Sequence, residues 1–466
     1  MKTILIKNPL AVATMNDNGA EFSGGHILIE DSIIKSIGTE ALDIPADEII
    51  DASDMVITPG FINTHHHLYQ TLTRNIPLMQ DQPLFPWLTN HYEVWREITT
   101  EAIQVSTQIG LLELLKSGVT TTSDHLYLFP AQASPELIDT EIEAARALGV
   151  RFQPTRGSMS LGKSKGGLPP DDVVQTETEI QKDTERLVAK YHDTSPGAMI
   201  RISLAPCSPF SVTQKLMKQT ALYANDNQLQ VHTHLAETLD EEKFCLETLG
   251  QRPVGLMQEL GWLTDNSWYA HAVHLNDAEI KIMGQNQVGV SHCPSSNMRL
   301  GSGIARIREL LDAGVKVSLG VDGSASNDSG DLLCEMRNAM LISRLREKQF
   351  WLTARDVLRM ATRGGAAALG RDDIGELSVG KQADLALFSM HDLAQAGSLA
   401  DPLASLVFTT RSRPVDALII QGRIVFRNGQ ADLDEPKLIH EQNRIAGEML
   451  QQAQKRTGID FLKNRS

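Results

Sequence analysis

Val56-Ile-Thr-Pro-Gly-Phe-Ile-Asn-Thr64 runs directly into three consecutive histidines, His65, His66 and His67. Apolar and β-branched residues dominate the run, so residues 56–64 read as one short buried strand. Side chains alternate along a strand, which puts His65 and His67 on one face and His66 on the other. Two imidazoles at i and i+2 where a strand ends are half of a metal site. The plain alternative is a cluster of partly exposed loop histidines, and the rest of the chain decides between them.

Downstream, short apolar strands at 119–123, 150–154, 200–205, 229–234, 268–271, 289–291 and 315–320 alternate with helical stretches at 102–117, 135–148, 172–191, 212–225 and 305–313. With the opening strand, these make eight strands separated by helices. That pattern predicts an α/β fold, a parallel (β/α)8 TIM barrel over residues 59–375. An open, doubly wound sheet is the structural rival. Strands at 3–7, 26–30 and 33–38 precede the barrel, and strands at 383–388, 415–420 and 423–427 follow it. The two ends are expected to meet in one small β-sandwich domain built from residues 1–58 and 376–435. The charged tail, 436–466, reads as a surface helix.

The chain has 466 residues, 41% hydrophobic and 22% charged, the make-up of a soluble globular protein. Its 43 Lys and Arg against 58 Asp and Glu give a formal charge of −15. That weighs against nucleic acid or an anionic membrane as a partner and leaves a small neutral ligand open. Cys207, Cys245, Cys293 and Cys334 form no CxxC pair. Such spacing fits a reducing compartment and excludes a cysteine-built zinc knuckle. The start, Met1 to Lys7, lacks a secretory apolar core, and no stretch approaches ~18 apolar residues, so a cytoplasmic location is expected.

Barrel enzymes carry their chemistry at the C-terminal ends of the strands. His65 and His67 end the first strand, His234 the fifth and His271 the sixth, and Asp322 follows the eighth. Three histidines and one aspartate with an open position suit a divalent cation such as zinc, which lowers the pKa of bound water toward ~7. Glu237, three residues past His234, can take and return that water's proton. Its alternative is a helix-capping or helix-dipole role before the acidic run Asp240-Glu241-Glu242. His232 shares a strand face with His234 but lies deeper, so packing or support of a ligand is the better reading. His274 and His292 have no comparable claim.

The run Pro59 to His67 resembles the opening signature of the amidohydrolase superfamily. The likeness continues through His234-Leu-Ala-Glu237, Ala270-His271, Ser291 to Asn297, Gly320 to Asn327 and Gly375 to Asp384, covering nearly the whole chain. Together these motifs are similar to the mononuclear aminohydrolase branch. The resemblance implies one divalent metal, zinc foremost and iron(II) second, held by His65, His67, His234 and Asp322. No lysine interrupts 200–205, where a carboxylated lysine would bridge two metals. Asn63 stands where many members carry aspartate, and it is expected to support the site without binding metal.

Within the branch, His66 to Arg74, Gln82 to Leu88, Thr155 to Gly162 and Ala205 to Phe210 resemble the 8-oxoguanine deaminases. Guanine deaminases share the glutamine at position 70 and have a counterpart of Trp87, but carry arginine where this chain has Cys207. Gln70, Trp87 and Cys207 are therefore the expected substrate-binding residues, with Cys207 marking a changed purine edge. Gln70 offers both a donor and an acceptor to an oxopurine. Trp87 either stacks on the ring or anchors a long loop from 75 to 91, and His125 and Tyr127 are either pocket groups or packing.

The implied reaction is deamination of 8-oxoguanine to urate and ammonia. Hydroxide attacks C2, Glu237 carries its proton to the ring nitrogen, and His271 and Asp322 orient the nucleophile. Asp322 also helps protonate the departing amine. The rivals are guanine, isocytosine or cytosine deamination, amino-triazine hydrolysis and, from another class, a non-catalytic scaffold. The resemblance also implies a homo-oligomer.

Overall fold

Eight parallel strands close into a barrel in chain order. They are β1 (Phe61–Asn63), β2 (Val119–Asp124), β3 (Arg151–Ser158), β4 (Ser203–Pro206), β5 (Val231–Leu235), β6 (Ser267–His271), β7 (Gly289–His292) and β8 (Lys316–Leu319). Leu319 of β8 pairs with Asn63 of β1 and completes the ring. The computed structural model describes residues 2–346, 348–409, 414–431 and 433–463. Residues 464–466 of the expected tail, and 410–413 and 432 of the segment 376–435, lie outside the described residues.

The strand expected at 56–64 is two strands. Met55–Pro59 pairs with Leu385–Ser389 in a six-stranded mixed sheet, whereas Phe61–Asn63 enters the barrel beside β2. Gly60 makes the break. A Cβ there would lie 2.1 Å from Thr120 Cγ2, so only glycine lets the chain cross this close to β2. The histidines follow β1 in irregular chain, so strand alternation does not orient them.

A four-stranded sheet from the N-terminal segment faces the six-stranded sheet across a shared apolar core. Ile4, Ile6, Ile27 and Ile29 on one side meet Val12, Ile57, Leu385 and Ile419 on the other. The long segment expected as a loop from 75 to 91 contains the helix Leu84–Trp95. Its buried Leu84, Trp87, Leu88, His91 and Trp95 recur at helical spacing and cover the barrel mouth. The helix Glu435–Thr457 lays Gln442, Ile445, Met449 and Ala453 against the same side of the barrel and leaves its other face in solvent.

Candidate active site

One pocket of about 390 Å³ at the C-terminal mouth of the barrel collects most of the residues singled out from the sequence. His67, Gln70, Trp87, Cys207, His234, Glu237, His271 and Asp322 line it. His65 is buried below, with its Nε2 3.3 Å from Asp322 Oδ1. His66 turns back on the chain and accepts the His67 amide on Nδ1 at 2.7 Å, away from the pocket.

Hydrogen bonds fix the tautomers of four histidines. His67 Nδ1 lies 2.7 Å from the His125 carbonyl and His234 Nδ1 lies 2.6 Å from the Cys207 carbonyl, so each nitrogen carries a proton and donates it. His232 Nδ1 donates to the Trp268 carbonyl at 2.8 Å, which leaves its Nε2 to accept from His65 Nδ1 at 2.8 Å. Burial pushes all four imidazoles below the usual histidine range, His234 to about 3, so they are neutral at physiological pH.

The Nε2 atoms of His65, His67 and His234 are therefore bare lone pairs. Those of His67 and His234 stand 3.1 Å apart, and those of His65 and His67 each lie 3.3 Å from Asp322 Oδ1. Burial opposes charge on Asp322, but a hydrogen bond and positive charge from His65, His271 and His67, wherever these carry the extra proton, outweigh it and hold the carboxyl well below the usual range. Lone pairs and a carboxylate crowded together repel unless a cation sits among them, and N/O donors of this kind suit a divalent metal. His65, His234, His271 and Asp322 also converge closely enough to share one ion, as do His65, His67, His125 and His234.

Glu237 stands at the corner where β5 gives way to helix. Ala236 takes a left-handed φ of 53° there, and the Glu241 carboxylate accepts the Ala236 and Glu237 amides, both at 2.8 Å. Thr238 caps the following helix by accepting the Glu241 amide, so the capping alternative for Glu237 falls away. Glu237 instead turns into the pocket, its Oε2 3.6 Å from His271 Nε2. Burial pushes its carboxyl up to about 7, suited to giving and taking protons near neutrality.

His271 donates from Nδ1 to Asn297 Oδ1 at 2.9 Å and turns Nε2 toward Glu237 and, at 3.9 Å, Asp322 Oδ2. Burial pulls its pKa down, yet the two carboxylates outweigh that and leave it raised. Left-handed φ values at His271 (72°) and Asp322 (64°) bend the chain at these strand ends. Such conformations cost on the order of 1–3 kcal/mol each and recur where side chains must be aimed.

Gln70 sits in the 3-10 turn Leu68–Thr73. Gln442 donates to Thr71 Oγ1 at 3.0 Å, and Trp95 Nε1 donates to Thr73 Oγ1 at 3.0 Å, so the turn is held from two helices. Gln70 Oε1 is buried with no hydrogen-bond partner among the described residues. Trp87 lines the pocket from its helix and packs on His91, ring centroids 4.1 Å apart. Burial pushes the Cys207 thiol up to about 12, so it faces the pocket as a neutral group.

Asn63 bridges two strands, accepting the Val321 amide and donating to Thr122 Oγ1, both at 2.9 Å. Tyr127 is a pocket group, whereas His125 spends Nε2 on the Ala205 carbonyl. Arg156 is buried outside the pocket, paired with Asp183 at 2.6 Å and stacked over Phe129. Leu84, Leu88, Phe210, Leu300 and Ser326 also line the pocket and were not singled out from the sequence. The helical spacing of Leu84, Trp87 and Leu88 was the available signal for two of them.

A family model described as the amidohydrolase family matches residues 56–425. The chain is 47% identical over 423 residues to an 8-oxoguanine deaminase of Pseudomonas aeruginosa, covering 91% of this chain and 93% of that one. It is 35% identical to an isoxanthopterin deaminase from an unknown prokaryotic organism, covering 96% and 97% of the two chains. An atrazine chlorohydrolase of Arthrobacter aurescens, solved in complex with zinc, matches with a TM-score of 0.91 at 34% identity. That match covers 95% of this chain and 100% of the other. On this breadth of similarity, the chain belongs to the amidohydrolase family, whose members are metal-dependent hydrolases.

Proposed function

We propose that the protein hydrolyses the exocyclic amine of 8-oxoguanine, giving urate and ammonia. The observation that carries the reaction class is the convergence of three bare imidazole nitrogens on Asp322, with Glu237 beside them. The choice of substrate is supported by likeness to the Pseudomonas aeruginosa enzyme and by Gln70 and Cys207 in the pocket wall.

In this reading His65, His67, His234 and Asp322 hold a single divalent cation, zinc before iron(II). Such an ion supplies Lewis acidity and lowers the pKa of water toward ~7. Glu237 takes the proton of the attacking water and delivers it to the ring nitrogen next to C2. Asp322 Oδ2, which accepts from Ser326 Oγ at 3.3 Å, helps pass a proton to the departing amine. His271, whose Nε2 faces both carboxylates, orients the attacking water together with Asp322. Gln70 Oε1 accepts a ring N–H, and the buried Leu84, Leu88 and Leu300 exclude bulk water.

Among the described residues no helix is long and apolar enough to cross a membrane. The four unpaired cysteines and the charge of −15 support a cytoplasmic enzyme of a small neutral molecule, not of nucleic acid. The reading includes a homo-oligomer, which light scattering checks. Metal analysis of the purified protein, with ammonia release from 8-oxoguanine before and after chelation, tests the whole proposal. One ion per chain and activity lost on chelation and restored by zinc are expected. Undiminished turnover by the metal-free protein sinks it.

A further inference from the structure

Two buried carboxyl groups, Asp124 and Glu141, meet behind the active site. Asp124 ends β2, and Glu141 lies on the helix Leu137–Leu148, which packs on the neighbouring strand β3; both side chains are buried. The two groups meet within hydrogen-bonding reach. Asp124 Oδ2 and both Glu141 oxygens find no N–H or hydroxyl donor among the described residues. Two facing carboxylates cannot both be charged in a dry interior, whereas one proton shared between them satisfies both.

The free side of Asp124 is in use. Its Oδ1 accepts the Leu68 amide at 2.7 Å. The next residue, His125, donates its amide to the His66 carbonyl at 2.8 Å and accepts from His67 Nδ1 on its own carbonyl. The end of β2 thus grips residues 66, 67 and 68 in succession. Leu68 opens the turn that carries Gln70.

We propose that Glu141 is a neutral acid that donates its proton to Asp124 Oδ2, so that Asp124 can hold the Leu68 amide and set Gln70 over the pocket. The pair is a positioning device, not part of the chemistry, and the inference rests on reading Gln70 as a substrate contact. Burial raises both carboxyls above the usual range, as a pair sharing one proton requires, and the Leu68 amide on Asp124 Oδ1, with no donor on either Glu141 oxygen, makes Glu141 the proton's holder.

The test compares Glu141→Gln, which keeps a donor of the same shape, with Glu141→Leu, which removes it. For the aminopurine the enzyme turns over, Glu141→Leu is expected to raise KM about 10-fold, with kcat within about 3-fold and metal content unchanged. Glu141→Gln should stay within about 2-fold of the parent in KM. An unmoved KM in Glu141→Leu, or equal damage in both variants, overturns the proposal. Gln70→Ala separates the two layers. If its KM does not move, the reading of Gln70 fails; if it moves while that of Glu141→Leu does not, the positioning role fails. Should Glu141→Leu not fold, the infrared difference between parent and Glu141→Gln at neutral pH decides. A protonated-carboxyl C=O stretch lost in the variant supports the shared proton, and a carboxylate band in its place refutes it.

Discussion

Gly323 leaves the space that Gln70 fills. A Cβ at position 323 would lie 1.9 Å from Gln70 Oε1, so any side chain there must push the carboxamide aside. The displaced group is the far end of a flexible chain, so the protein should fold around the change and lose only the placement of Gln70. Gly323→Ala is therefore expected to reproduce Gln70→Ala: KM about 10-fold higher, kcat little changed and melting temperature within a few degrees. Steady-state kinetics on both variants check this. An unaltered KM in Gly323→Ala would remove Gln70 from the substrate site.

Glu237→Gln keeps shape and hydrogen-bonding capacity but cannot accept the water proton. Its kcat should fall by about 10² to 10⁴, the range attributed to general acid–base catalysis, with full metal content. Metal analysis beside kinetics separates loss of the base from loss of the ion. A variant that keeps the metal and retains near-parental kcat would assign the proton transfer elsewhere.

The same carboxyl makes metal-free protein sensitive to pH. Its pKa is near 4.5 in the unfolded chain and about 7 when folded and buried, so between those values the folded state binds more protons. The contribution is unpenalised below about 4.5, grows destabilising as pH rises from there, and reaches its full penalty above about 7. In excess chelator, Glu237→Gln should lie within about 1 kcal/mol of the parent at pH 5 and exceed it at pH 8 by on the order of 3 kcal/mol at most. Thermal melts at the two pH values measure the difference. Parallel melting curves for the two proteins would contradict it.

Stability can be separated from chemistry at the opposite end of the barrel. Arg151, at the start of β3, pairs with Asp384 through Nε at 2.8 Å and its second amino group at 3.0 Å. Its remaining amino group donates to the Gly197 and Ala198 carbonyls. All of this is buried, so Arg151→Met strands a charged carboxylate and should cost about 3–5 kcal/mol. Denaturant melts should show that loss, while the kcat of the folded fraction stays near the parental value. A loss below about 1 kcal/mol would mean that Asp384 finds another partner.

The barrel was legible because its strands are short apolar runs punctuated by helices. Seven of the eight expected strands coincide within a few residues with strands of the ring, and the eighth is Phe61–Asn63. The break at Gly60 was not, since apolar residues continue through it and only Thr120, distant in the chain, forces it. The helix Leu84–Trp95 was hidden by Pro83 and Pro86, which read as loop; they occupy its cap and first turn, where proline is tolerated. The short strand Glu48–Asp51 pairs with Thr3–Lys7, a distant partner that no local pattern announces.

At the site, residue types were readable and their bonding was not. His65, His67, His234 and Asp322 stood out by their places at strand ends. That His232 fixes the tautomer of His65 depends on a contact between residues 167 apart. Cys207 was singled out for its side chain, yet its carbonyl, which holds His234, has the clearer structural task.

The decisive comparison, on one zinc-loaded preparation, is the rate of amine release: ammonia from 8-oxoguanine, guanine and isocytosine, and ethylamine or isopropylamine from hydroxyatrazine. The highest kcat/KM is expected for 8-oxoguanine, with urate as the product, and at least about 10-fold less for guanine. A higher kcat/KM for any of the other three would contradict it.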